Sequence, residues 1–277
     1  MRSFYIVAVC LFGVLKISAQ ELYVSTEPAS NMPAKSLGFR LNNYFMPRYK
    51  NSEAGISQTK TTYRLDPELM WGVHKNLMLH FNLFASNFHQ DKFVFEGGSI
   101  YAKYRFLSLD RVHSHFRMAA YLKASAINNP IQYNDINLSG DNSGASTGIV
   151  ATQLLHKIAL SFTGGYNWAG NNLHDTFTSG RPQTAINYSF SAGYLMLPIR
   201  YQSFNQPNLN LYLEFLGKYN PETKEQYLDI TPALQLILKS KIRIDIAYQR
   251  QITGNMLRIN NQVLLVRFEY NLFNAYK

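Results

Sequence analysis

The chain holds one cysteine, Cys10, in 277 residues, and it falls inside an N-terminal apolar stretch. Beyond that stretch, disulfides, cysteine metal centres and cysteine nucleophiles are excluded. A long hydrophobic run is also missing. Tyr5 to Leu15 is continuously apolar, but its eleven residues are too few to cross a bilayer as a helix. Acidic residues are scarce: 17 Asp and Glu stand against 27 Lys and Arg, a formal net charge of +10. The basic residues are scattered rather than clustered, which argues against a nucleic-acid partner. A glycine-rich phosphate loop is absent too, since Gly164 and Gly165 lie within an alternating stretch.

The N-terminus has the layout of a cleaved secretory signal over residues 1–19. Arg2 supplies the positive start, Tyr5 to Leu15 the apolar region, and Ile17-Ser18-Ala19 a cleavage site before Gln20. Cys10 does not make a lipoprotein box, because Val9 stands where a small residue is wanted. Removal of Arg2 and Lys16 with the signal lowers the net charge from +10 to +8. On an exported chain, that excess fits a basic lumen or contact with anionic headgroups. Residues 20–35, with Pro28 and Pro33 among small polar residues, read as a periplasmic N-terminal segment or a plug. The composition favours the flexible lead-in over a segment folded back into a barrel.

What the chain has in quantity is alternation. In Thr61 to Ser86, Tyr63, Leu65, Pro67, Leu69, Trp71 and Val73 occupy every second position, with Arg64, Asp66 and Glu68 between them. After His74-Lys75-Asn76 the pattern restarts as Leu77, Leu79, Phe81, Leu83 and Ala85, against His80 and Asn82. A period of two with one apolar face specifies strands. Similar stretches recur at 36–46, 99–106, 115–126, 147–155, 158–168, 185–196, 209–219, 227–238, 241–251 and 261–273. In 147–155 either face can be taken as the apolar one.

These features predict an all-β fold: a closed antiparallel transmembrane β-barrel of about 12 strands over 36–277. The connections alternate between short turns and longer polar loops, the longest being Ile127 to Ser146. On the short side, Leu107 to Ser114 and Pro198 to Asn208 are longer than the pattern asks. Aromatics gather at both ends of the outward faces: Trp71, Phe106, Phe116, Tyr194 and Phe273 at one, Phe45, Tyr63, Trp168, Tyr188, Tyr219 and Tyr248 at the other. A soluble sandwich or lipocalin-like barrel has no use for two such belts. Pro67 and Pro232 fall inside strands of a fold without edges, so each should mark a bulge or a missing ladder bond. Each lies ten residues before an apolar strand start, Leu77 and Ile242, which reads as a hairpin unit built twice.

DPELMWGVHKNLML, followed by Lys103 to Leu107 (KYRFL), resembles outer-membrane β-barrels of the meta-pathway phenol-degradation or transporter-like family. The segment TEPASNMP resembles Bacteroidota members of such barrels. The resemblance spans Thr26 to Leu107 and implies an outer-membrane barrel with a transport role. It brings no catalytic residues.

The inward faces carry Arg40, Arg64, Lys103, Arg105, Arg117, Lys123, Lys218, Arg243 and Arg267 against Asp66, Glu68, Glu214, Asp229, Asp245 and Glu269. These residues either fill a narrow barrel with ion pairs or line a path for polar and anionic solutes. About eight strands leave a filled interior and about 16–18 an aqueous channel, so a barrel of intermediate size predicts a narrow or plugged pore. His80 near Asn82 and His115 beside Ser114 do not form a nucleophile arrangement. His113 with His115, His89 with Asp91, and His174 with Asp175 lack a third ligand and are expected to be solvated. The sequence therefore specifies no catalytic residue, metal site or cofactor. It points to a passive outer-membrane channel or transporter for small solutes with a net-basic lumen. A non-conducting barrel that docks a partner through Ile127 to Ser146, and a membrane-lipid hydrolase, are the alternatives. The expected partners are outer-membrane lipid, small solutes and, during biogenesis, the outer-membrane assembly machinery.

Overall fold

The computed structural model of the chain describes residues 23–47, 49–51, 56–58, 61–89, 92–112, 114–199 and 205–276. The signal over 1–19 with Cys10, the start of the 20–35 segment, Asp91 and His113 lie outside the described residues.

The alternating stretches become strands. They are β1 (Ser36–Met46), β4 (Thr62–His74), β5 (Leu77–Ser86), β6 (Val94–Asp110), β7 (Ser114–Ile127), β8 (Gly144–Leu155), β9 (Ile158–Ala169), β10 (Thr184–Leu197), β11 (Asn208–Tyr219), β12 (Gln226–Leu238), β13 (Ile242–Gly254) and β14 (Gln262–Leu272). Each pairs antiparallel with its neighbours in sequence, and β14 pairs with β1, so twelve strands close into a barrel. Closure leaves no unpaired strand edge. The polar connection after β1 carries a separate small hairpin, β2 (Tyr49–Asn51) with β3 (Ile56–Gln58).

Facing follows the period of two. Along β4, Thr62, Arg64, Asp66, Glu68, Met70 and Gly72 are buried, and the residues between them are partly exposed. Along β13, Arg243, Asp245 and Ala247 are buried while Ile242, Ile246 and Tyr248 face out. The usual globular arrangement is inverted, with ionised side chains inside and large apolar ones outside. Phe39, Leu83, Ile100, Leu122, Phe162, Leu234 and Phe268 are among the exposed apolar residues of this surface. Strand β8 resolves the ambiguous stretch: Ser146, Val150, Thr152 and Leu154 are buried, whereas Thr147 and Ile149 face out.

Two boundaries differ most from the sequence expectation. The turn expected over Leu107 to Ser114 shrinks to 111–113, because Leu107–Asp110 pair on with Met118–His115 after a register shift at Arg105/Leu107. That removes one of the two long connections on the short side. The stretch expected at 99–106 begins earlier, at Val94, so Glu96 stands in β6 and points inward, fully buried.

The prolines interrupt the ladder without a bulge at either position. Pro67 pairs with Leu41 of β1 in unbroken register, but on the β5 side pairing jumps from Leu65↔Ala85 to Glu68↔Asn82. Pro232 pairs with Leu213 of β11, and on the β13 side pairing jumps from Ile230↔Arg250 to Ala233↔Ala247. Proline lacks one N–H, so only the neighbour that N–H would have faced loses its bond. The two sites share this one-sided gap, as a twice-built hairpin requires.

The facing is testable by charge. Ile246 is 51% exposed midway along β13. Ile246→Arg should lower the unfolding free energy in bilayers by about 2–4 kcal/mol. An unchanged urea midpoint would contradict a lipid-facing Ile246.

Candidate functional site

A lumen lined by ionised side chains must either stay wet or pair them, because an unpaired charge removed from water costs several kcal/mol. This lumen pairs them, and partly with residues from outside the barrel wall. Two non-barrel segments supply most of those partners, residues 23–35, which precede β1, and residues 128–143 between β7 and β8, and the loop before β14 adds Arg258.

Residues 23–35 lie against inward-facing wall residues. The Glu214 carboxylate on β11 accepts bonds from the backbone N–H of Val24, Ser25 and Thr26 at 3.0, 2.7 and 3.0 Å, and from the Thr26 hydroxyl at 2.9 Å. Ala29 N–H donates to Thr152 Oγ1 at 2.9 Å. Lys103 Nζ donates to the carbonyls of Pro28 and Ser30 at 2.6 and 2.9 Å. Glu27 pairs with Arg40 at 2.7 Å and with Lys103 at 3.6 Å. Tyr23 and Val24 pack with Leu154, Ala159, Tyr212, Ala233, Ala247 and Leu265, an apolar patch on the inner wall. The described part of the segment is thus held by a carboxylate, two cations and a buried apolar cluster.

The loop over 128–143 folds inward from the opposite end. Arg64 on β4 pairs with Glu96 at 3.0 Å and with Asp141 of the loop at 2.5 Å. Asn129 Nδ2 donates to Glu96 Oε1 at 2.8 Å, so wall and loop share one carboxylate. Lys218 on β11 pairs with Asp135 and donates to the Ile136 carbonyl at 2.7 Å. Arg258, from the loop before β14, pairs with Asp229 at 2.8 Å and lies 3.8 Å above the Tyr227 ring. Ile136 and Leu138 pack with Ala169 and Ala185.

Most of the fifteen lumen residues expected from the sequence join these networks. Arg40 bridges Glu27, Glu68 and Glu269, and Arg243 bridges Asp245 and Glu269. Arg267 reaches Asp245 at 3.5 Å. Arg64, Lys103, Glu214, Lys218 and Asp229 are placed as above. Lys123 donates to Ser139 Oγ of the loop at 2.6 Å. Asp66 is buried, with Oδ1 unpartnered. Two residues lie apart from the centre. Arg105 donates to the Lys75 carbonyl in the β4–β5 turn, at the rim, and Arg117 spans Ser30 and the half-exposed Asp110.

Five charged residues of the site escaped the sequence reading: Glu27, Glu96, Asp135, Asp141 and Arg258. Only Glu96 sits in a strand. The others lie in irregular segments, where no periodicity announces a facing. The signal that was available is compositional, since nine inward cations against six inward acids leave positive charge to be matched.

Between the two segments a cavity of about 350 Å3 remains, bounded by Ser25–Glu27 on one side and Ile136–Ser139 on the other. Tyr121 reaches into its wall, and a Cβ at Gly165 would come within 2.2 Å of the Tyr121 hydroxyl, which is why β9 carries glycine there. Glu27, Glu68 and His80 bring three ligand-type atoms within 4.8 Å of one another beside the cavity. Arg40 already bonds both carboxylates, and His80 Nδ1 bonds Glu68. The positive charge present suits an ion-pair clasp better than a divalent cation. As for the histidines weighed for hydrolysis, His80 bonds Glu68 and His115 bonds Asp110, carboxylates rather than serine hydroxyls.

No protein-family model and no curated relative matches the sequence. Among solved structures, an outer-membrane channel from Pseudomonas putida F1 aligns with a TM-score of 0.60 at 13% identity, covering 90% of this chain and 100% of that one. Outer membrane phospholipase A from Escherichia coli aligns at 0.45 and 10% identity, covering 86% and 91%. The KdgM porin aligns at 0.43 and 10% identity, covering 85% and 98%. At these identities the likeness to the Pseudomonas channel is one of fold.

The Arg64 cluster makes two predictions. Arg64→Met strands Glu96 and Asp141, and should cost about 3–5 kcal/mol, read as an earlier urea midpoint. The second concerns pH. Burial pushes the Asp141 carboxyl up, but the Arg64 guanidinium outweighs it and holds the group below the usual aspartate range. A carboxyl lowered in the docked state stabilises docking above its ordinary value and loses that contribution as pH falls through the docked value. Hydrogen exchange across 128–143 should therefore stay slow at neutral pH and quicken only below the ordinary aspartate value of 3.8. Asp141→Asn should be fast throughout; equal protection in both forms at neutral pH would contradict the latch.

Proposed function

We propose that the protein is a passive outer-membrane channel for small polar solutes, with residues 23–35 acting as a plug and residues 128–143 as a second constriction. One observation carries this reading. The wall is basic, and acids from the two non-barrel segments neutralise it: Glu27 at Arg40 and Lys103, Asp141 at Arg64, Asp135 at Lys218. A barrel filled for stability alone has no need of acids on segments that can leave without breaking the strand ladder. Displacing either segment would expose a lumen rimmed by cations, which favours anions and polar molecules.

The supporting context is consistent. The outer surface carries exposed apolar residues around its circumference, as a lipid-facing barrel requires. The sequence offers an export signal over 1–19, and the transporter-like family resemblance belongs to the same reading. Delivery to the outer membrane would then pass through the outer-membrane assembly machinery. The docking alternative draws less support, because Asn129, Asp135 and Asp141 of the long loop are spent on lumen contacts.

Single-channel recording on the purified protein and on a variant lacking residues 23–35 tests the proposal. The deletion should raise conductance several-fold and shift reversal potentials toward anions, because Arg40 and Lys103 lose Glu27. A folded deletion variant that stays silent, with no solute flux into liposomes, would leave the non-conducting barrel as the better account.

A further inference from the structure

We propose that the cavity between Ser25–Glu27 and Ile136–Ser139 is a binding site for a small hydroxylated monocarboxylate, anchored by Lys123. This rests on reading the lumen as a solute path, and it names the solute class of that path.

The anchor stands out by its pairing. Arg40, Arg64, Arg243 and Arg267 each reach a carboxylate. Lys123, among the described residues, has none. Its ammonium donates to the neutral Ser139 hydroxyl at 2.6 Å and lies 5.9 Å from the Phe84 ring centroid. An ammonium has three donors, so this one retains capacity on the cavity wall, where Asp66 and Glu68 act on it only from beyond ion-pair distance. An anion in the cavity gives this partly exposed ammonium the direct carboxylate contact that the wall does not.

Two further atoms define the rest of the ligand. His80 is 2% exposed; its Nδ1 bonds Glu68, and its Nε2 has no hydrogen-bond partner. The ring is anchored through Nδ1, so Nε2 is the atom left for a ligand, and a ligand hydroxyl pairs with it in either proton arrangement. Asn187 spends its Nδ2 on the Tyr121 hydroxyl at 3.2 Å and leaves its buried Oδ1, an acceptor, unpartnered. Tyr101 and Tyr121 stack at 5.5 Å and line the same space, adding an apolar ring surface. The Lys123 ammonium, the His80 Nε2 and the Asn187 Oδ1 together suit a molecule with one carboxylate and several hydroxyls. Ligand cavities typically run from about 300 to 1,000 Å3, so about 350 Å3 takes a single hydroxy acid or sugar acid and no oligomer. Ordered water alone could satisfy Nε2 and Oδ1, but it brings no charge for Lys123.

Isothermal titration of the purified full-length protein with D-gluconate, and with D-glucose as its uncharged counterpart, decides the matter. Measurements on wild type and on Asp141→Asn, whose loop docking is weakened, ensure that slow entry does not hide binding. Gluconate should bind at one saturable site, at least about tenfold tighter than glucose. Lys123→Gln should remove that preference while leaving the heat-modifiable barrel band unchanged. The proposal is overturned if gluconate binds no tighter than glucose, if Lys123→Gln keeps the preference, or if neither protein binds gluconate. Failure of the channel reading looks different: gluconate binding that persists in a barrel with no conductance.

Discussion

The structure depends on the pairing of ionised side chains inside a barrel that is too wide to be filled by its own wall. A small barrel excludes water by packing its inward side chains against one another, and a large one keeps them hydrated. Twelve strands fall between these solutions. Period-two alternation sends Arg40, Arg64, Lys103, Lys218 and Arg243 into the interior with too few wall acids to match them. The chain closes the deficit with Glu27, Asp135 and Asp141, none of which belongs to the barrel. The inward course of both segments follows from that electrostatic demand, and their apolar residues then pack where the charges have brought them.

The clasp around Arg40 shows how tightly the two parts are joined. Its guanidinium meets Glu269 on β14, Glu68 on β4 and Glu27 on the N-terminal segment, so one side chain ties the strand closure to that segment. Burial acts to raise the Glu27 carboxyl, but Arg40 and Lys103 together hold it well below its ordinary value. The segment therefore enters the lumen as an anion, and its carboxylate stands where a bound anion would otherwise have to stand. Glu214 plays the complementary part across the lumen, where a buried carboxylate collects the backbone N–H groups of 24–26.

The wall was largely legible in the sequence and the contents of the lumen were not, for a physical reason. Strand facing is written in every second residue, so β1, β4, β5 and β13 could be read with their inward charges. Fifteen lumen residues followed from that alternation, although Arg105 and Arg117 lie toward the rim rather than at the centre. Pro67 and Pro232 were legible as ladder defects, because proline's missing N–H is a local fact. Glu96 was lost because polar residues at 88–92 resemble a loop and gave no sign of where β6 begins. Glu27, Asp135, Asp141 and Arg258 sit in segments whose course is fixed only by partners far away in sequence. Arg64 and Asp141 are 77 positions apart, and Val24 and Glu214 are 190 apart. No local pattern encodes such contacts, although the cationic surplus of the wall does imply that acids must arrive from somewhere.

The same pairing constrains how the lumen can open. The rim pair Arg117–Asp110 is half exposed on its acid side, where salt screens it and its loss costs little. Arg64 and Glu96 are almost wholly dry, so ionic strength hardly reaches them, and separating Asp141 from them leaves charge behind unless another anion or water replaces it. Because Glu96 belongs to the wall and Asp141 to the loop, withdrawal of the loop removes only one of the two carboxylates. Arg64 keeps a partner, and the lumen can open on this side without stranding a bare guanidinium. On the side of residues 23–35, Arg40 likewise retains Glu68 and Glu269 when Glu27 leaves. Lys103 and Lys218 differ, since Glu27 and Asp135 leave with the segments, so opening leaves two wall ammoniums that water or an anion must meet.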